Sequence, residues 1–100
     1  MPRFWLSFDL GLQGNYEKLY EWLDDSDSLE CGDSVATFVT PKTRETITGE
    51  LSPLLGANAR VYLIGPGKKG KVAGSFIIGR RKRAPWFGYA SPPTEAEEEA

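Results

Sequence analysis

Phe4-Trp5-Leu6-Ser7-Phe8-Asp9-Leu10 decides the reading of this 100-residue chain. Aromatic residues and leucine dominate the stretch, which favours a strand from Arg3 to Leu10 with Gly11 at its boundary. Apolar side chains fall on both parities, as expected of a central strand covered on at least one face. A lone carboxylate, Asp9, stands where that strand meets its first loop.

Working outward, Asn15 is placed as an N-cap with Glu17 in the first turn that follows. Tyr16, Leu19, Tyr20 and Leu23 recur at i, i+3, i+4 and i+7, one apolar stripe of an amphipathic helix, and Trp22 widens it. Asp24, Asp25 and Asp27 oppose the negative end of the helix dipole and favour an exit there. Ser34 to Thr40 is β-branched and aromatic and reads as a strand closed by Pro41. Leu29 to Asp33 supplies part of a further short strand. Thr43 to Thr46 opens a second helix, with Ile47, Leu51, Leu54 and Leu55 on one face. Gly49 weakens that helix, Pro53 kinks or ends it, and Gly56 stops the chain's helical course. Arg60 to Ile64 is a strand broken by Gly65-Pro66-Gly67, and Lys71 to Gly79 resumes β character.

The order predicts an α/β (α+β) chain with the split pattern of a ferredoxin-like fold, β-α-β-β-α-β. One antiparallel sheet carries two helices on one face, with an extra C-terminal strand, and its other face is left for a partner. Residues 1–90 are expected to form this single domain, and 91–100 a disordered acidic tail.

Histidine is absent, which excludes Ser-His and Cys-His nucleophile pairs and the usual zinc sites. The single cysteine, Cys31, makes no internal disulfide, so a reducing cytoplasm is the default, with an unreactive thiol in an acidic loop. No apolar run of membrane-spanning length and no secretion signal is expected. The net charge of −2 conceals segregation. Residues 1–59 carry four bases against ten acids, whereas Arg60 to Ala90 carry eight bases and no acid. A near-neutral total therefore does not argue against a polyanionic partner.

Within that basic stretch, Lys68, Lys69 and Lys71 fall in a sequence close to a phosphate loop. Val72 stands where the motif needs Ser or Thr, and a strand follows rather than a helix, so a basic hairpin turn is the better reading, and its three lysines are expected to contact nucleic acid together with the bases after the last strand. Arg80, Arg81, Lys82 and Arg83, with Trp86, Phe87 and Tyr89, pair phosphate-neutralising groups with rings that stack on bases. The alternative is a solvated loop whose aromatics dock on the domain's own core. A further option is that the acidic tail folds back on the patch. Asp24, Asp25, Asp27, Glu30 and Asp33 fail the EF-hand pattern, since Glu30 and Ala36 stand where Gly and Glu are required.

The aromatic-Asp pair in Phe8-Asp9-Leu10 carries a resemblance, together with Tyr16, Leu19 and Leu23 behind it. Ser34 to Thr40 continues it, and so does Leu51-Ser52-Pro53-Leu54-Leu55 followed by Arg60-Val61-Tyr62-Leu63-Ile64. Over residues 3–65 the chain resembles the small CRISPR-associated adaptation subunits, ferredoxin-like dimers once taken for endoribonucleases. It is still more similar to their stand-alone bacterial relatives. The resemblance implies a homodimer in which two copies of Asp9 face each other across a two-fold axis. Two carboxylates so close favour a cation between them. Mg²⁺ suits such a pair and would activate water at a phosphodiester, with Asp9 as both metal ligand and catalytic residue. The bland alternative makes Asp9 a strand-end acceptor of backbone N–H groups near Gly11 and Gly14. No base stands between Asp9 and Lys18, where the family usually carries several, and the chain beyond Gly65 departs from the family pattern. In that family the last strand commonly pairs with the other protomer's sheet, a role open to Lys71 to Gly79. The function expected is thus a nucleic-acid-associated dimer with at most weak metal-dependent nuclease activity. The alternative is a non-catalytic protein–protein interaction module.

Overall fold

The structure, a computed structural model, describes residues 1–90; the expected acidic tail, 91–100, lies outside the described residues. The elements run β1 (Arg3–Asp9), α1 (Tyr16–Asp25), β2 (Leu29–Gly32), β3 (Val35–Val39), α2 (Arg44–Leu51), β4 (Arg60–Pro66) and β5 (Val72–Ile78). Single 3-10 turns at Ser52–Leu54 and Lys68–Gly70 complete the course. The fold is α+β: one antiparallel five-stranded sheet, in the order β2-β3-β1-β4-β5, with two helices. β1 is central, as its two-sided apolar content requires. β1 and β2 both run antiparallel to β3, so α1 links parallel strands separated by one other; α2 does the same for β3 and β4 across β1.

Both helices start at the residues that cap them. Asn15 Oδ1 accepts the Lys18 N–H at 3.2 Å, and Thr43 Oγ1 accepts the Thr46 N–H at 3.1 Å. The second helix ends at Leu51, earlier than its apolar stripe, because Pro53 turns the chain into the 3-10 segment. Strand parity sorts the sheet into two faces. Phe4, Leu6, Phe8, Ala36, Phe38, Val61 and Leu63 are buried beneath Leu19 and Leu23 of α1 and Ile47 and Leu51 of α2. Phe4 stacks on Phe38 at 5.9 Å between centroids, and Trp22 meets Phe38 edge-on at 5.1 Å. Trp22 Nε1–H donates to Glu50 Oε1 at 2.9 Å, and Lys42 Nζ donates to the same oxygen at 2.7 Å, tying α1 to α2. Lys42 and then Trp22 hold the Glu50 carboxyl below the usual glutamate range.

β5 pairs with its own chain's β4, from Val61 opposite Ile78 to Pro66 opposite Val72. Arg44 fastens this hairpin. Its guanidinium donates to the carbonyls of Leu63 and Gly65 on β4 at 3.0 Å, and to Ser75 Oγ and the Ala73 carbonyl on β5. Four bonds from one planar fork to both strands are worth more than a typical neutral hydrogen bond. Arg44→Ala is expected to destabilise the chain by about 1.5–3 kcal/mol. Amide exchange should accelerate in β5 before β1, whereas equal acceleration across the sheet would show that Arg44 does not hold the hairpin. No helix among the described residues is long and apolar enough to cross a membrane.

Candidate nucleic-acid interface

The face of the sheet turned away from the helices is built by the other strand parity. Cross-strand register arranges it in rows: Phe76, Tyr62 and Ser7; then Gly74, Ile64, Trp5 and Thr37; and, at the rim, Arg60 opposite Asp9. Arg3 Nη1 donates to Thr37 Oγ1 at 2.9 Å, and Thr37 Oγ1 donates to the Phe4 carbonyl at 2.9 Å, so the β1–β3 part of this face is bridged. The β1–β4–β5 part is concave, about 500 Å³, and is lined by Ser7, Asp9, Arg60, Tyr62, Ile64, Phe76 and Arg81.

Arg81 reaches this concavity because the chain reverses after β5. Gly79 takes φ +93° there and passes so close to Arg60 that a Cβ would meet its side chain at 2.9 Å. The guanidinium of Arg81 then lies 5.6 Å from the Tyr62 ring centroid and 5.7 Å from that of Phe76, and donates to the Tyr62 hydroxyl at 3.2 Å. The two rings meet edge-on at 4.7 Å.

Asp9 lies at the rim of the same face. Its Oδ1 accepts the Gly11 N–H at 3.1 Å, the strand-end bond of the bland alternative. Among the described residues, Asp9 forms no ion pair with Arg60 despite facing it, and no group of three acidic, cysteine or histidine side chains could hold a metal. Asp9 is thus a single carboxylate lining a concavity that also holds Arg60 and Arg81.

The sequence-selected bases separate into two places. Arg80, Arg81, Lys82 and Arg83 follow the end of β5, next to the concavity. Lys68, Lys69 and Lys71 lie at the opposite end of β5, in the hairpin turn, where seven strand residues hold them roughly 20 Å away. That turn joins two strands, so no helix follows it to receive phosphates. Trp86, Phe87 and Tyr89 are 71%, 60% and 84% exposed and do not dock on the core. Arg83 stands 4.6 Å from the Phe87 ring. Sequence reasoning missed Tyr62, Phe76, Trp5 and Arg60. The signal was there: in Arg60-Val61-Tyr62-Leu63-Ile64 the residues alternating with Val61 and Leu63 must share a face opposite the core.

No protein-family model matches the chain, and no curated protein and no solved structure matches it significantly.

Proposed function

We propose that the chain is a nucleic-acid-associated, ferredoxin-like protein of the adaptation-subunit kind, working in a reducing cytoplasm. What supports the fold name is the order of strands and helices, with both helices spanning a split β-α-β unit. The observation that carries the function is the exit segment. Four consecutive bases and three exposed rings leave the sheet together, and one of those bases reaches back across Tyr62 and Phe76. Bases of this kind neutralise phosphates, and the rings offer stacking surfaces. Retention on heparin and an oligonucleotide gel shift, both weakening as salt rises, test this reading; salt-independent failure to bind nucleic acid overturns it.

The position of Asp9 on the open face favours a second reading, the homodimeric metal enzyme. One chain offers one carboxylate there. Mg²⁺ accepts one or two carboxylates and keeps its waters, so a site would need Asp9 from two copies meeting over this face. Asp9→Asn is then expected to abolish Mg²⁺-dependent phosphodiester cleavage and to leave nucleic-acid binding in place. Cleavage that persists in the purified variant removes Asp9 as the metal ligand.

A further inference from the structure

We infer that the concavity between Arg60 and Arg81 is a subsite for one unpaired nucleotide of a single-stranded nucleic acid. The inference rests on the nucleic-acid reading above and assigns it a strand type and a place on the sheet. A nucleotide needs a ring surface, a cation for its phosphate and a polar contact for its sugar or base edge. The concavity holds all three: Tyr62 and Phe76, Arg60 and Arg81, and Ser7 with Asp9.

Gly74 leaves room for the Tyr62 ring over β5. Gly74 lies beside Tyr62 on β5, and a Cβ at that position would stand 2.5 Å from Cε2 of the Tyr62 ring. With glycine there, the Tyr62 ring leans over β5 and meets Phe76 edge-on, so the pair offers a base the face of one ring and the edge of the other. Arg81 now lies against both rings. A half-exposed cation–π contact is weak, and the same guanidinium serves a phosphate better than a ring. On binding, a base takes its place over the rings and Arg81 turns to the adjoining phosphate. The strand continues over Arg80, Lys82 and Arg83, which lie next along the chain.

Two features favour an unpaired base over a duplex or a second protein copy. Duplex bases hide their faces inside the stack, so a recessed aromatic ring face is of use only to a splayed base. Among the described residues, neither Arg60 nor Arg81 closes an ion pair, although Asp9 lines the same concavity. A flat apolar partner would have to strip water from both guanidinium groups and leave them unpaired, a heavy penalty. Phosphate supplies the missing charge. Asp9 repels that phosphate at the rim and accepts instead from a ribose hydroxyl or an exocyclic amine.

The test is fluorescence anisotropy of the full chain with short labelled single-stranded RNA, single-stranded DNA and a duplex of the same sequence. Wild type is expected to prefer single strands. Phe76→Leu, which keeps apolar bulk, and Gly74→Ala, which lifts Tyr62 off β5, should each weaken single-strand binding about 10-fold, with an unchanged salt slope. Phe76→Trp should restore it. Arg60→Gln should instead flatten the slope by about 0.7. RNA bound more tightly than DNA places Asp9 on the 2′-hydroxyl, and equal binding places it on a base edge; both support the subsite. The subsite is overturned if wild type binds but both ring variants match it, if only the duplex binds, or if Phe76→Leu merely turns a dimer into a monomer. Wild type binding no nucleic acid at low salt overturns the underlying reading, a separate outcome.

Discussion

Replacing Arg80, Arg81, Lys82 and Arg83 together by Ser is expected to lower affinity for single-stranded nucleic acid by roughly 10²–10³-fold near 0.1 M salt. Each phosphate neutralised on a single strand releases about 0.7 of a counterion, so four contacts carry about three units of slope in log K against log salt. The variant should therefore bind weakly and also respond little to salt, and a salt titration by anisotropy reads both. The segment follows β5 and contributes no side chain to the helix-covered core, so thermal stability should hardly change. Replacing Lys68, Lys69 and Lys71 gives the comparison. These lie at the other end of β5, and a strand seated in the concavity would have to run the length of the hairpin to reach them. Their loss should cost less than that of the exit segment. Equal losses would mean that the strand follows the hairpin edge, and unchanged affinity after the fourfold replacement would remove the exit segment from the interface.

The parts of the fold legible in the sequence are those where one residue has one physical use. Asn15 and Thr43 cap helices because their side-chain oxygens satisfy N–H groups that no helical carbonyl can reach. The aromatic run of β1 could only be central. β2 was harder, because Leu29-Glu30-Cys31-Gly32 is an exposed edge strand that pairs on one side and needs no apolar alternation. β4 runs two residues past the expected break, since Pro66 pairs with Val72 at the hairpin's end, where a missing N–H costs least.

The candidate site was legible in its charges and not in its shape. The basic residues of 60–90 stand out in any reading, and the expected strand from Lys71 to Gly79 sets Lys68 and Arg80 at opposite ends of β5. Trp5, Tyr62 and Phe76 read only as strand residues until parity sends them to the open face. Arg81 joins them only because Gly79 turns the chain back, a long-range consequence of a local φ.

Gly65→Val is expected to destabilise the domain by about 2–3 kcal/mol, through overpacking. A Cβ at Gly65 would stand 2.2 Å from Cδ1 of Phe4, well inside contact distance. Whether this is costly depends on whether Phe4 can move. Its ring is 2% exposed and stacked on Phe38, which Trp22 meets edge-on, and Trp22 is held in turn by Glu50. Displacing Phe4 therefore disturbs the contact between the sheet and α1, and strains the Arg44 bond to the Gly65 carbonyl as well. In a domain of this size the loss should lower Tm by about 10–20 °C. Gly74 faces an equally tight neighbour, but on the open side: the Tyr62 ring can swing toward solvent, so Gly74→Ala should cost little stability while displacing the ring offered to a base. Melting curves of the two variants separate the faces of the sheet. A similar Tm loss in both would mean that Tyr62 is as confined as Phe4 and that the open face is a second core rather than a binding surface.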